Sequence, residues 1–313
     1  MIVVGGEALI DLILHQDGRV SAVPGGGPFN TARTIGRLGL SVGFVGSLST
    51  DRFGTLLHDR LVTDGVIDDL TLRTDAPTTL AVAELDDAGG ASYRFYTAAT
   101  SAVALDAGQL PAFGSVGGRP LTPTAIHVGT LGLVLDGLAG AMEALVAGAS
   151  DDAVVMVDPN ARPAATSDRG AWLGRLSRVL RRADIVKVST DDLAWMRPTA
   201  DPDRAAMGFL DDGPSVVLWT DGDHGVRIIT RRGSTRVPAA RVEVVDTVGA
   251  GDAFGGGFLA AWIGAGRGRA GLGDDEGLIA AARHGVRVAA FTCTRAGAEP
   301  PTATELATWG SDR

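Results

Sequence analysis

The sequence predicts an α/β fold in which a central, mostly parallel β-sheet carries helices on both faces, with a small additional β-sheet. Short apolar runs alternate with longer amphipathic segments along most of the chain, which is the order of β-α-β units. Two stretches break this order and alternate apolar with polar residues, as half-buried strands do. The 313 residues are 45% hydrophobic and 21% charged, a composition that supports a large core and excludes general disorder.

The elements of the main sheet are predicted from these runs in chain order. The predicted strands are 2–4, 42–45, 124–128, 153–157, 184–188 and 215–219. The predicted helices are 30–38, 51–61, 137–146, 171–180, 202–210, 249–263 and 278–290. Because each strand is followed by a helix before the next strand, the strands are expected to pair in parallel through helical crossovers.

The two irregular stretches, at about 9–23 and 78–97, predict a β-ribbon inserted into a single domain that spans residues 1–313. In the second stretch, residues 79–85 and 92–96 flank a turn at 86–90, which is typical of a hairpin. We expect the ribbon to project from the α/β body as a small β-sheet. It would act as a lid over a site or as the contact surface of a homodimer.

The charge and the cysteine content bear on partners and location. The net charge is −9, and an acidic surface repels nucleic acid and anionic lipid, so we expect no nucleic acid and no membrane partner. Only Lys187 among the 28 Lys and Arg residues is a lysine, and its surroundings match neither a Walker A loop nor a protein-kinase strand. A single cysteine, the lack of an export signal and the lack of an apolar run of ~20 residues predict a soluble, cytoplasmic protein.

The strongest chemical signal is the run DTVGAGDAFGGGF at 246–258, which opens a predicted helix. Its first glycines let backbone amides approach an anion closely, and the helix N-terminus adds a positive dipole. Asp252 follows directly, and a carboxylate at this position would repel a bound phosphate. Its presence therefore indicates a specific role, for which the general base for a hydroxyl group is the obvious candidate. Taken alone, Asp252 could equally be a helix-capping residue. A dinucleotide-binding fingerprint is excluded, because Phe254 stands where that motif needs a small residue.

Two separate motifs together resemble those of the PfkB-type, ribokinase-like sugar kinases. The run at 246–258 resembles the second signature of that family, and GGGPFNTA at 25–32 resembles the first. Shorter matches occur in the order of the family at 46–54, 158–162, 220–225 and 294–298. The resemblance covers nearly the whole chain and implies a ribokinase-like fold. It also implies ATP-dependent transfer of the γ-phosphate to a primary hydroxyl of a monosaccharide.

The resemblance implies roles for individual residues. Asp252 would be the catalytic base, and the amides of Gly249, Ala250 and Gly251 would form the anion hole for the γ-phosphate. The implied sugar-binding residues are Asp11, Gly26, Gly27, Asn30, Tyr96 and Arg162. The implied nucleotide-binding residues are Lys187, Ser189, Thr220, Gly222 and Gly225. For Arg162, a surface ion pair with Asp168 is the alternative.

ATP and Mg²⁺ are the implied cofactors, with K⁺ as a further candidate. The family often carries an Asn-x-x-Glu motif that organises water bound to Mg²⁺. Here Ser189 replaces the Asn and Asp192 replaces the Glu, so Asp192 would hold Mg²⁺ through water. Asp246 resembles the side-chain ligand of a monovalent cation site beside the anion hole.

The sugar is predicted from the same motifs. The runs GGGPFN at 25–30 and DPNAR at 158–162 resemble fructokinases more than ribokinases, so fructose leads. A 2-keto-3-deoxygluconate kinase and a ribokinase are the alternatives. The sugar acid would need a cation in the ribbon, where Arg94 shares a face with Tyr96. A non-catalytic sugar-binding protein of the same fold is the alternative of a different class.

Overall fold

The centre of the protein is a nine-stranded sheet, seen in a computed structural model that describes residues 1–15, 17–85, 91–111, 122–199 and 201–309. The strands are β1 (Ile2–Gly5), β2 (Leu9–Leu14), β3 (Val20–Gly25), β4 (Val42–Val45), β5 (Ser47–Ser49), β6 (Val66–Ile67), β7 (Leu72–Thr74), β8 (Leu80–Leu85), β9 (Ala91–Tyr96), β10 (Ala125–Gly129), β11 (Val154–Asp158), β12 (Ile185–Ser189), β13 (Val216–Thr220), β14 (Val226–Thr230) and β15 (Gly233–Val237). The helices are α1 (Gly27–Arg37), α2 (Arg52–Thr63), α3 (Leu138–Ala147), α4 (Arg169–Leu180), α5 (Thr190–Met196), α6 (Pro202–Met207), α7 (Phe209–Asp212), α8 (Ala250–Gly264), α9 (Asp275–Cys293) and α10 (Ala303–Thr308).

The strand order in the large sheet is β15-β14-β13-β12-β11-β10-β1-β4-β6, and the seven strands from β13 to β6 in this order pair in parallel. The strand order reverses at β1, because the chain leaves β1 toward β4 on one side and later places β10 on the other. A crevice therefore opens at the carboxyl ends of β1 and β10, the place where open α/β sheets bind ligands.

Apolar side chains on both faces of the sheet explain why its strands are continuous hydrophobic runs. Ile2 and Val4 point to the layer that contains α1 and α8, whereas Val3 points to the layer that contains α3 and α4. All three side chains are at most 1% exposed. The predicted α/β fold with helices on both faces is confirmed.

A second sheet of four strands, in the order β3-β2-β8-β9, projects from the main sheet. Strands β2 and β8 pair in parallel at its centre, and β3 and β9 flank them in antiparallel pairs. The predicted ribbon is therefore confirmed as a small separate sheet. The predicted turn at 86–90 lies outside the described residues.

Two features differ from the expected elements. Strands β14 and β15 extend the large sheet in antiparallel pairs beyond β13. The helix expected over 202–210 is divided into α6 and α7 at Gly208, where the Arg197 guanidinium packs against the glycine and over the ring of Phe209. Across the described ranges, none of the helices has the length and hydropathy needed to cross a membrane.

Candidate active site

A cavity of about 450 Å³ lies at the carboxyl ends of β1 and β10, between the large sheet and the four-stranded sheet. We call it the first cavity. It is lined by Glu7, Leu9, Asp11, Gly26, Gly27, Asn30, Tyr93, Phe95, Thr130, Leu131, Asn160, Arg162, Lys187, Thr247, Val248, Gly249, Gly251 and Asp252. Residues far apart in sequence therefore meet at the reversal of the strand order.

The N-terminus of α1 forms one wall of the first cavity. A Cβ at Gly27 would overlap Oγ1 of Thr130 and would lie 3.3 Å from Oδ1 of Asp252, so only glycine leaves this space open. Nδ2 of Asn30 donates a hydrogen bond of 3.0 Å to Oδ2 of Asp252. Oδ1 of Asn30 is buried and has no hydrogen-bond partner among the described residues, which leaves an acceptor for a ligand hydroxyl.

Asp252, in the first turn of α8, is 8% exposed and lines the first cavity. Burial raises the pKa of its carboxyl from 3.8 to about 7, and the Asn30 hydrogen bond and the nearby Lys187 and Arg162 charges oppose the rise. A carboxylate with a pKa near neutrality is suited to general-base work, because it is both available and basic at the operating pH. The geometry supports the base more than a simple helix cap.

Residues 246–251, which we call the glycine bend, lead into α8 at the edge of the first cavity. Gly249 has a left-handed φ of +74°, and a Cβ there would overlap the Cβ of Ala298. The Asp246 carboxylate fixes the bend by accepting hydrogen bonds from the amides of Val248 at 3.0 Å and Gly297 at 2.8 Å. These two hydrogen bonds hold the bend in place, and Gly249 and Gly251 line the first cavity.

Lys187 forms a buried ion pair of 2.7 Å with Asp158 at the floor of the first cavity. Both side chains are 4% exposed, and the Asp158 carboxylate raises the pKa of Lys187 against the effect of burial. The Nζ atom lies 3.3 Å from the position that a Cβ of Gly251 would take, so the ammonium group faces the glycine bend. Lys187 thus lines the first cavity, and its role in nucleotide binding stays a prediction.

Asp11 and Arg162 lie opposite the glycine bend. Burial raises the pKa of Asp11 to about 6, and the charge of Arg162 lowers it. Nη1 of Arg162 donates to Oδ1 of Asn160 at 2.7 Å, while Asp168 caps α4, so the alternative ion pair of Arg162 with Asp168 is not formed.

The aromatic wall of the first cavity comes from β9, but not from Tyr96. Tyr93 and Phe95 line the cavity with their rings stacked at 6.3 Å, whereas Tyr96 is 53% exposed. Successive side chains of a strand point to opposite faces, so Tyr96 lies on the outer face together with Arg94. Tyr96, which is expected to bind the sugar, does not line this cavity, and Tyr93 and Phe95 line it instead.

A second cavity of about 670 Å³ lies on the other side of the glycine bend. Thr220, Gly222 and Gly225 line it together with apolar side chains of α8 and α9, among them Phe254 and Val286. Thr247 and Gly251 line both cavities, so the glycine bend separates them. Three of the five residues expected to bind nucleotide are thus brought together at one site beside the bend.

Ser189 and Asp192 have a different place from the one expected. They form a capping box at the start of α5, in which Oδ2 of Asp192 accepts hydrogen bonds from the amide and hydroxyl of Ser189 at 2.9 and 2.8 Å. Oδ1 of Asp192 accepts the amide of Ala161 at 2.7 Å. Both oxygens are engaged and neither residue lines the two cavities, although Ser189 pairs directly with Thr220 between β12 and β13.

Three of the cavity residues not found by the sequence reasoning are polar and follow strands of the large sheet. Glu7 follows β1, Thr130 follows β10 and Asn160 follows β11, and the last two have positive φ values of +52° and +37°. Burial raises the pKa of Glu7 to about 8, against the effect of two backbone amides and Arg162. Their common position could have identified them as site residues, since each comes directly after a buried strand of the parallel sheet.

Known proteins resemble this chain over nearly all of its length. A model of the pfkB family of carbohydrate kinases matches residues 1–305. A fructokinase of Rhizobium leguminosarum bv. trifolii is 34% identical over 264 residues, which cover 83% of this chain and 79% of that protein.

Solved structures show the same fold. The crystal structure of a fructokinase from Xylella fastidiosa with bound ATP has a TM-score of 0.88 at 29% identity, covering 98% of this chain and 97% of that one. An aminoimidazole riboside kinase from Salmonella enterica, complexed with aminoimidazole riboside and an ATP analogue, has a TM-score of 0.81 at 25% identity, covering 99% of each chain. The expected ribokinase-like fold is confirmed. Since the family match includes both signature-like runs, the chain belongs to the pfkB family of carbohydrate kinases.

Proposed function

We propose that the protein is a fructokinase that transfers the γ-phosphate of ATP to a primary hydroxyl of fructose. The observation that carries the proposal is the position of Asp252, which is buried beside a bend that separates a polar cavity from a larger, more apolar one. Sugar would occupy the first cavity and ATP the second, so that the γ-phosphate reaches the sugar across the bend.

The proposed reaction uses three groups of the chain. Asp252 accepts the proton of the attacking sugar hydroxyl. The oxygen of that hydroxyl bonds to the γ-phosphorus, while the bond between this phosphorus and the ADP oxygen breaks. The bend amides and the helix N-terminus stabilise the charge that develops on the phosphoryl oxygens. The Lys187 ammonium, which is held by Asp158 and faces Gly251, adds a positive charge beside the bend.

The polar lining supports a neutral sugar as the substrate. Asp11 and the free Oδ1 of Asn30 offer acceptors to hydroxyl groups, while Lys187 and Arg162 already have partners in Asp158 and Asn160. Arg94, the cation that a sugar acid would need from the ribbon, is exposed on the outer face. These contacts favour fructose over 2-keto-3-deoxygluconate.

The metal ions proposed as cofactors are Mg²⁺ and K⁺. Among the residues whose positions are described, no cluster of three His, Cys, Asp or Glu side chains could hold a metal ion. We propose that Mg²⁺ binds through the phosphates of ATP, as it commonly does in kinases. For K⁺, the candidate ligand is Asp246, whose carboxylate is fixed beside the bend by two backbone amides.

A homodimer through the four-stranded sheet is part of the proposal. Its outer strands are β3 and β9, and exposed apolar side chains on it include Val20 at 60% and Tyr96 at 53%. Light scattering after size-exclusion chromatography should give twice the mass of the chain, and Val20→Asp should shift the population toward monomer. A wild-type protein that stays monomeric at high concentration would contradict the dimer.

The function is tested by coupled measurement of ADP formation with fructose, tagatose, ribose, 2-keto-3-deoxygluconate and aminoimidazole riboside, each with and without K⁺. We expect the highest kcat/KM with fructose, and NMR of the product should show the phosphate on a primary carbon. Preference for ribose, the riboside or the sugar acid would overturn the fructose assignment. ADP formation with none of these substrates would favour a sugar-binding protein.

A further inference from the structure

Glu7 is a buried acid that the proposed reaction does not use. It follows β1 at the reversal of the strand order and is 1% exposed. Its Oε1 accepts the amide of Gly27 at 3.1 Å, and its Oε2 accepts the amide of Gly132 at 2.9 Å. One carboxylate therefore joins two segments that reach the first cavity from different strands.

The first of these segments is the start of α1. Gly26 is the N-cap residue and offers no side-chain cap, and Pro28 has no amide hydrogen to donate. The Gly27 amide is thus one of the unpaired donors that a helix N-terminus leaves, and Glu7 supplies the acceptor from outside the helix. The backbone at Gly26 also packs closely against the carbonyl of Glu7, since a Cβ there would lie 2.7 Å from that oxygen.

The second segment is the turn Thr130–Leu133 after β10, which contains Gly132. Thr130 has φ +52°, and its Oγ1 accepts a hydrogen bond from Nδ2 of Asn160 at 3.1 Å. A Cβ at Gly27 would overlap the same Oγ1, so the two segments are in close contact. A change in their separation would move Asn30 and Thr130 relative to each other.

Burying a carboxylate is costly unless it is hydrogen-bonded, and two amides from different segments are what holds this one. We infer that Glu7 is a positioning residue for the sugar: its carboxylate sets the distance between the start of α1 and the turn after β10. The inference rests on the proposed function for the location of the sugar, but the two hydrogen bonds do not depend on it.

Glu7→Gln is the informative variant, because its side chain has the same size but only one acceptor oxygen, and its NH₂ group would face a backbone N–H. The assays are run at pH 9, where the wild-type carboxylate is ionised. Losing one charge-assisted hydrogen bond corresponds to about a 10- to 100-fold rise in the KM for the sugar. The KM for ATP should change less than about twofold, since the second cavity does not contact Glu7.

Glu143→Gln is the matched control, because Glu143 pairs with Arg178 on the surface between α3 and α4. It should leave both KM values and the melting temperature unchanged. A Glu7→Gln enzyme with both KM values unchanged, or with both raised equally, would overturn the inference and leave Glu7 a purely structural residue.

Hydrogen–deuterium exchange separates this test from that of the proposed function. In Glu7→Gln, peptides that contain the amides of Gly27 and Gly132 should exchange faster, while peptides of β11 and β12 keep their protection. This result is expected even if wild-type enzyme accepts none of the sugars, an outcome that would overturn only the proposed function. Unchanged exchange at both amides would show that Glu7 does not hold the two segments.

Discussion

Replacing Gly249 with alanine tests whether the glycine bend carries catalysis. Two separate effects act on this variant. An alanine at φ +74° adopts the left-handed region at a cost of about 1–2 kcal/mol. Its Cβ would also overlap the Cβ of Ala298 and lie 3.1 Å from the Cα of that residue.

The second effect decides the activity. Ala298 cannot move easily, because its carbonyl accepts a hydrogen bond of 2.9 Å from Arg33, which is itself held by Asp64 at 2.6 Å in a buried ion pair. The bend must therefore yield, and its amides move away from the phosphoryl group. Losing one aligned anion-hole donor typically costs about 10²–10³-fold in kcat. We expect a fall in kcat of about 10²-fold for Gly249→Ala.

Gly266→Ala is the matched control for the backbone effect. Gly266 has a similar φ of +70°, lies beyond the end of α8 and would have open space around a Cβ. Both variants should lose unfolding free energy in urea titration, Gly249→Ala more than Gly266→Ala because of the overlap with Ala298, and only Gly249→Ala should lose kcat in the ADP-coupled assay. Equal activity of the two variants at saturating substrates would refute the role of the bend.

Two further predictions concern the charged groups of the first cavity. The value of kcat at saturating sugar should fall about tenfold per pH unit below pH 7, where Asp252 becomes protonated; a profile that stays flat down to pH 5 would contradict the assignment of the base. Lys187→Met should cost about 3–5 kcal/mol of unfolding free energy by leaving Asp158 unpaired, and adding Asp158→Asn should restore part of this stability but no activity; wild-type kcat in the double variant would show that the ammonium group has no role in transfer.

The parallel core could be predicted from sequence because the physical cause is local. Strands covered on both faces are apolar at every position, as in 2–4 and 153–157, and such runs are readable without knowledge of their partners. Strand β15 is different, since four of its five residues are exposed and GSTRV carries no apolar pattern. Only its pairing with β14 makes it a strand.

The site was predictable where a motif carries its own chemistry. The glycine bend and Asp252 are neighbours in sequence, and the structure brings them together with Asn30 and Gly27. Glu7 was missed because its partners lie 20 and 125 residues away. Whether Tyr96 or its neighbours Tyr93 and Phe95 line the cavity depends on which face of β9 meets the cavity. The alternation of side chains along a strand does not decide this until the orientation of the strand is known.

The capping box of Ser189 and Asp192 was readable from sequence, and the resemblance obscured it. A serine followed three residues later by an acidic residue at the start of a helix is a common capping pattern. Reading this run through the motif of the family suggested a metal contact. Here the carboxylate also accepts the Ala161 amide and so supports the loop that carries Asn160 and Arg162.

The most direct test of the account is the single-turnover rate of Asp252→Asn with fructose and ATP. The asparagine can keep an oxygen that accepts the hydrogen bond from Asn30, so binding of both substrates, measured by calorimetry, should persist. The rate of phosphoryl transfer should fall by about 10²–10⁴-fold because the proton of the hydroxyl has no acceptor. A variant that binds fructose normally and transfers phosphate at a near wild-type rate would contradict the account.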